Sequence, residues 1–310
     1  MNAGIPVIAD PKVTRHILSA FRLRASKRLG QNFLVDAGIV RGIVGAAELA
    51  PGDTVLEIGP GIGTLTQGLA ETGARVVAVE IDKKLPRVLA ETLKGYDNVT
   101  IVPGDILKLN IPEILGLKEG ERFKVAANLP YYITTPIIMT LLEQRLPIER
   151  LVTMVQKEVA VRMTARPGSK DYGALSIAVQ YFTEPRIVMD VPSRAFMPAP
   201  EVTSAVVACR VRETPAAAPV DEKLFFRLIR AAFGQRRKML LNALTGAGLT
   251  KEMSRAGLSA AGLAENARGE QLSLADFARL SDAVGDLEMR EASLCFLTAI
   301  SIRYFLPIRR

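Results

Sequence analysis

Apolar residues recur along this chain with two different spacings, and the alternation between them predicts most of its elements. The runs "TVLEI" (Thr54 to Ile58), "ARVVAVEID", "NVTIVPGDIL", "FKVAANLPY" and "LVTMVQ" are short, dense in apolar and β-branched residues, and read as buried strands. Between them, "AGIVRGIVGAAEL", the segment Thr64 to Glu71, "KKLPRVLAETLKG" and "KEVAVRM" space their apolar residues three and four apart, as amphipathic helices do. Pro51-Gly52-Asp53 and Gly73 supply the breaks. "GALSIAVQYF", "PRIVMDV" and "VTSAVVACRV" complete the series. Strand and helix in alternation predict an α/β fold, a mostly parallel, doubly wound sheet with helices on both faces.

The rhythm stops at "RETPAAAPVDEK". This Pro/Ala-rich stretch predicts a linker over 213–223, followed by a small all-helical domain over 224–286. The α/β domain then spans 36–212. Residues 1–35 read as a basic arm leading into it, and 287–310 as an atypical tail, apolar and then basic.

Composition narrows the partners. The chain has 310 residues and a formal charge of +8, which favours a polyanion. Between Pro11 and Val35 there is no acid, while Lys12, Arg15, Arg22, Arg24, Lys27 and Arg28 are all positive. Arg22, Arg24, Lys27 and Arg28 are therefore candidate phosphate contacts, against the plainer reading of a solvated helix face. Arg236, Arg237 and Lys238 form a second basic cluster. Helical spacing puts Phe226, Ile229, Phe233 and Leu240 on the opposite, inner face. With two cysteines and one histidine, neither a metal site nor a Cys/His nucleophile is expected. The sequence shows no signal peptide and no apolar run of about 20 residues, so a cytoplasmic protein without a membrane span is expected, acting as a monomer.

Candidate chemistry begins at the first strand. Gly59, Gly61 and Gly63 follow Thr54 to Ile58 and open a helix, the frame on which a nucleotide-like cofactor approaches the backbone. Their spacing differs from a dinucleotide fingerprint. Glu57 just before the turn suits a cationic amino-acid headgroup better than a pyrophosphate. The E-x-G-x-G-x-G run resembles motif I of the class I S-adenosylmethionine methyltransferases. Three polar residues fall at the carboxyl ends of successive strands, where open α/β sheets bind ligands. Glu80, beside Ile81, is placed to accept from ribose hydroxyls. Asp105, beside Ile106, is placed to accept from the adenine amino group, and Asn128 lies next to the methyl donor. Each alone would be read more readily as a helix cap. Together they point to S-adenosylmethionine.

Asn128-Leu129-Pro130-Tyr131 contains no acid, base or thiol. An aromatic exocyclic amine is a poor nucleophile because its lone pair is delocalised. Two acceptors on its N–H groups, the Asn128 side chain and a carbonyl of the Leu129-Pro130 turn, favour the pyramidal amine. Pro130 stiffens the turn and Tyr131 offers a ring for stacking. The alternative is an ordinary β-turn with a core tyrosine.

"NLPYYITTPI" resembles motif IV of the ribosomal RNA adenine N6,N6-dimethyltransferases. "GQNFL", "QKEVAVRM", "YGALSIAVQYF", "VPSRAFMPAPEVTSAVV" and "AFGQRRKML" follow that family in order from about residue 24 to 285, nearest to its bacterial small-subunit members. The resemblance implies a class I methyltransferase domain with a helical C-terminal domain. It implies S-adenosylmethionine-dependent dimethylation of two adjacent adenosines in the 3′-terminal hairpin of 16S rRNA within the 30S particle. It further implies cofactor contacts from Asn32, Leu34, Gly59, Glu80, Asp105 and Asn128, and a target adenine held between Tyr131 and Phe196. The terminal twenty-odd residues have no counterpart in it. Three alternatives stay open: a 23S rRNA adenine methyltransferase of the macrolide-resistance type, a DNA adenine methyltransferase, and a non-catalytic RNA-binding factor on the same fold.

Overall fold

The computed structural model describes residues 6–234 and 238–305, of which Lys27 and 292–305 are described in backbone only. Nine strands occur among these residues: β1 Phe33–Leu34, β2 Thr54–Ile58, β3 Arg75–Glu80, β4 Val99–Pro103, β5 Phe123–Asn128, β6 Ile148–Gln156, β7 Thr183–Val191, β8 Phe196–Met197 and β9 Ser204–Val211. Seven of them make one sheet in the order β4-β3-β2-β5-β6-β9-β7. β2 to β6 pair in parallel, and β9 runs antiparallel to both β6 and β7. The expected α/β, mostly parallel class is thus the observed one. Central strands are buried on both faces, which is why Val55, Leu56, Val76, Val77, Ala78, Val125, Ala126 and Ala127 form unbroken apolar runs. β4, at the edge, is only partly buried and ends in Pro103, a residue that costs nothing where no neighbour needs its N–H. The chain leaves β2 toward β3 on one side, and β5 lies on its other side. The strand order therefore reverses beside β2, and the crevice beyond the carboxyl ends of β2 and β5 is where such sheets bind ligands.

The basic segment at the start is not an extended arm. Pro11–Ala20 is a helix with Asp10 as N-cap, its carboxylate accepting from the Lys12 and Val13 N–H groups. Ahead of it, the Ile8 N–H donates to Gln67 Oε1 (2.8 Å), and Thr14 Oγ1 donates to the Ile8 carbonyl (2.8 Å). Ile8 and Ile17 share an apolar cluster with Phe33, Ile62, Leu85 and Leu89. This burial ties the segment to the α/β domain, and the charges of Arg22, Arg24 and Arg28 remain exposed.

Two compact units are present: the first comprises the chain up to Thr164 together with Ala178–Thr214, the second Ala165–Ile177 together with the chain from Pro215. Ala165–Ile177 joins the second unit although it lies inside the expected 36–212 span. Tyr172 is the reason: it is buried, its hydroxyl donates to the Leu272 carbonyl (3.0 Å), and its ring meets Phe233 edge-on. In that unit the helix Glu222–Gly234 buries Leu224, Phe225, Leu228, Ile229 and Ala232. Phe226 and Phe233 are half-buried, so the inner face is rotated from the expected one. The last helix runs unbroken over Leu274–Phe305, so the backbone of the tail continues a helix rather than starting a separate segment at 287.

Candidate active site

The reversal point opens into a cleft. Its floor is the turn after β2, where Gly59 and Gly61 take φ of +73° and +62°. These are left-handed values that a side chain would strain. At these two positions the turn brings bare backbone to the cleft. Gly63 serves differently. It caps the helix Thr64–Ala70 at φ +93°, and a Cβ there would come within 3.1 Å of Leu93, so its absence of a side chain is a packing requirement outside the cleft wall.

Two carboxyl groups define the electrostatics. Glu57, on β2, is 1% exposed, and its Oε2 has no hydrogen-bond partner among the described residues. Burial in an apolar setting, with the Glu80 carboxylate adding repulsion, pushes its pKa up to about 8. Glu80, at the end of β3, is 4% exposed, and burial raises its pKa also. Its Oε2 accepts from the Gly61 N–H (3.1 Å) and its Oε1 from the Asp82 N–H (2.7 Å). Those two bonds hold the carboxylate in one orientation while each oxygen keeps a second lone pair to offer.

Asn128 ends β5. Its Nδ2 donates to the Asn32 carbonyl (3.4 Å), and Oδ1 has no hydrogen-bond donor among the described residues. Next, the Leu129 N–H continues the ladder to Met154 O (3.3 Å). The Pro130 carbonyl accepts from the Ile133 N–H (3.2 Å) and the Thr134 hydroxyl (3.0 Å). The Pro130 carbonyl is therefore engaged within its own turn, while Leu129 lines the cleft. The Tyr131 hydroxyl lies 2.6 Å from Ser204 Oγ at the start of β9, and burial raises its pKa. Phe196 is 4% exposed and reaches the same cleft because β8 pairs with β1, Phe196 opposite Leu34.

Of the residues expected from sequence, Asn32, Leu34, Glu57, Gly59, Gly61, Glu80, Ile81, Asn128, Leu129, Pro130, Tyr131 and Phe196 line this cleft. Asp105 and Ile106 do not. Asp105 instead caps its own turn, Oδ1 accepting from the Leu107 N–H (3.1 Å), and Ile106 is buried beside it. Sequence reasoning missed Gln31, Phe33, Ile62, Leu85 and Tyr132 on the wall. A doubled tyrosine after Pro130 was the one available signal for Tyr132. Arg236 and Arg237 lie outside the described residues, and Lys238 is exposed. Among the described residues no cluster of three His, Cys, Asp or Glu is placed to hold a metal, and no helix is long and apolar enough to cross a membrane.

A family model described as ribosomal RNA adenine dimethylase matches residues 22–286. The chain belongs to that family. The dimethylase family accounts for the motifs from "GQNFL" to the second unit, and it makes this chain an enzyme of the methyltransferase class. Proteins called ribosomal RNA small subunit methyltransferase A are similar over nearly their whole length. The one from Moorella thermoacetica is 52% identical over 280 residues, 88% of this chain and 97% of that protein. The one from Alkaliphilus metalliredigens is 49% identical over 280 residues, covering 89% and 98%. Among solved structures, a dimethyladenosine transferase from Plasmodium falciparum aligns with a TM-score of 0.65 and 26% identity over 80% of this chain and 95% of the other. The 23S rRNA methyltransferase ErmE aligns at 0.63 and 29% over 82% of this chain and all of the other.

Proposed function

We propose that this dimethylase family member transfers methyl groups from S-adenosylmethionine to the N6 amines of two adjacent adenosines in the 3′-terminal hairpin of 16S rRNA, in the 30S particle or its precursor. The single observation that carries the chemistry is that Asn128, Leu129 and Tyr131 line one cleft with Phe196, which supports Asn128 Oδ1 and the Leu129 carbonyl as the two acceptors. Identity near 50% to small-subunit enzymes, against 29% to a 23S enzyme, favours the 16S substrate. Methyl transfer to unmethylated 30S subunits, with none to protein-free 23S RNA, is the test. A preference for 23S RNA would reverse the assignment. A substrate inside the ribosome supports a cytoplasmic location.

The cleft fits S-adenosylmethionine on the chemistry of its donors. The buried Glu57 Oε2 has no hydrogen-bond partner among the described residues and can accept from a donor brought in by a ligand; the ammonium of the methionine headgroup is one. The fixed carboxylate of Glu80 suits ribose hydroxyls. Bound there, the cofactor would supply an electrophilic methyl group. The chain's own contribution is positioning. Asn128 and Leu129 draw the amine's N–H bonds and localise its lone pair; Tyr131 and Phe196 hold the base by its faces. The methylated amine loses its proton to water, so the lack of a general base in the turn is no obstacle. Asn32 and Leu34 would close one side. We place Asp105 and Ile106 at the adenine end only as the family resemblance suggests, since neither lines the cleft here.

Two outcomes follow. Glu80→Ala should raise the cofactor's dissociation constant by roughly 10- to 100-fold, the loss of a charged acceptor worth about 1.5–3 kcal/mol, as read by calorimetry. Tyr131→Ala should weaken RNA stacking by about 1–3 kcal/mol. Tyr131→Phe keeps the ring and loses only the Ser204 bond, so its effect should be about 1 kcal/mol, measured as kcat/KM. RNA is held, in this reading, by the exposed Arg22, Arg24 and Arg28 with Lys27 on one unit, and by Arg236, Arg237 and Lys238 on the other.

A further inference from the structure

Tyr132 is the one aromatic ring among the exposed large apolar side chains of the described residues, 57% open to solvent, and it stands on the wall of the cleft. Its neighbour Tyr131 turns inward and is held at Ser204. The short turn Tyr131–Ile133 thus presents two rings one residue apart, one inside the cleft and one at its mouth. The outer ring is backed on one side. Gly30 has φ +59°, and a Cβ there would sit 3.4 Å from Tyr132 Cδ1 and 3.7 Å from Cε1. The Gly30 turn is thus the neighbour of one edge of the ring, and more than half of the side chain stays open to solvent. Next to Gly30, Gln31 Nε2 donates to Asp82 Oδ2 (2.9 Å), which joins this loop to the segment after β3. Lys83, Lys84 and Arg87 follow, all exposed, with the Arg87 guanidinium 6.0 Å from the centroid of the Phe21 ring.

Ile81 and Leu85 line the same cleft as Tyr132, so an exposed ring and the cations of the segment that follows β3 border one opening. A ring that stacks a base and cations that take its phosphates are what hold an unpaired nucleotide strand. We propose that Tyr132 is a positioning residue that stacks on the nucleotide adjacent to the adenosine under methylation, with Lys83, Lys84 and Arg87 along that strand's phosphates. This rests on the RNA reading above and extends it outside the cleft. When one adenosine of a neighbouring pair enters between Tyr131 and Phe196, the other is left at the mouth.

The test is steady-state methyl transfer to 30S subunits, with calorimetry for S-adenosylmethionine and Tm as a check on folding. Tyr132→Ala should raise KM for 30S by roughly 5- to 100-fold, the span of one lost base stack, with kcat and cofactor affinity within about twofold of the parent. Y132F and Y132W should restore KM, since either keeps a flat ring. The fraction of pairs with only one adenosine dimethylated should rise with Y132A at limiting substrate. A parent that methylates 30S subunits while Y132A shows an unchanged KM would overturn this inference alone. So would Y132F being as impaired as Y132A, or cofactor affinity falling in step with KM. A parent that methylates no ribosomal RNA overturns the functional reading, and the inference with it.

Discussion

Asn128→Ala will lower methyl transfer at least ~100-fold while cofactor and RNA continue to bind, the scale on which removing one polar transition-state contact acts. The reason lies in what the amide does in each state. In the ground state an adenine amine is nearly planar and any acceptor serves it about as well as water does. As the lone pair localises, the N–H bonds sharpen and the two fixed acceptors gain strength that water, having to reorganise, does not match. Asn128 is set up for this by its place in the fold. The pairing of Asn128 with Met154 fixes its backbone, and the Nδ2 bond to the Asn32 carbonyl fixes its amide. Asn128→Asp removes that donor and adds a charge beside the two acids of the cleft, so it should also be impaired, with the added cost appearing in cofactor affinity. Single-turnover methyl transfer with bound 30S subunits isolates the step. Near-normal turnover in N128A would show that amine activation does not come from this turn.

Much of this site was legible because its residues follow strands that announce themselves. β2, β3 and β5 are short apolar runs, and Glu57, Glu80 and Asn128 sit at or near their carboxyl ends, where the parallel arrangement brings them into one crevice. Asp105 obeyed the same rule by position and departs from it in space. The rule locates a backbone end, while a local hydrogen bond to Leu107 settles where the side chain goes. Gln31 and Phe33 were passed over for a different reason. They enter the wall through contacts of high sequence separation, such as Gln31 with Asp82, that no local period records. The basic run before residue 35 looked like an arm because its charges outnumber its anchors. Ile8, Thr14 and Ile17 are few, yet their burial is enough to hold the helix. Likewise Ala165–Ile177 falls within the expected 36–212 span until Tyr172 is seen bonded to Leu272.

Glu57→Gln should separate stability from function in opposite directions. In the ligand-free protein the Glu57 carboxyl, pushed up to about 8 by burial and then by the Glu80 charge, still carries a proton at pH 7. The unfolded chain has released that proton above its ordinary value of 4.5. Folding therefore takes up a proton between those two values, and the native state loses stability as pH rises across that window. A glutamine has no proton to take up. The Tm of E57Q relative to the parent should thus climb from about pH 5 to about pH 8 and level off above, a gain on the order of a few kcal/mol. Cofactor binding runs the other way. An ammonium group delivered to Glu57 lowers its pKa again, so binding at pH 7 should release up to about one proton, visible as a dependence of the binding enthalpy on the buffer's own ionisation enthalpy. E57Q should lose that dependence and weaken S-adenosylmethionine binding by roughly 100-fold, the cost of leaving a buried cation without its partner. Equal affinity with an undiminished buffer effect would assign the headgroup to another partner and leave Glu57 a purely structural acid.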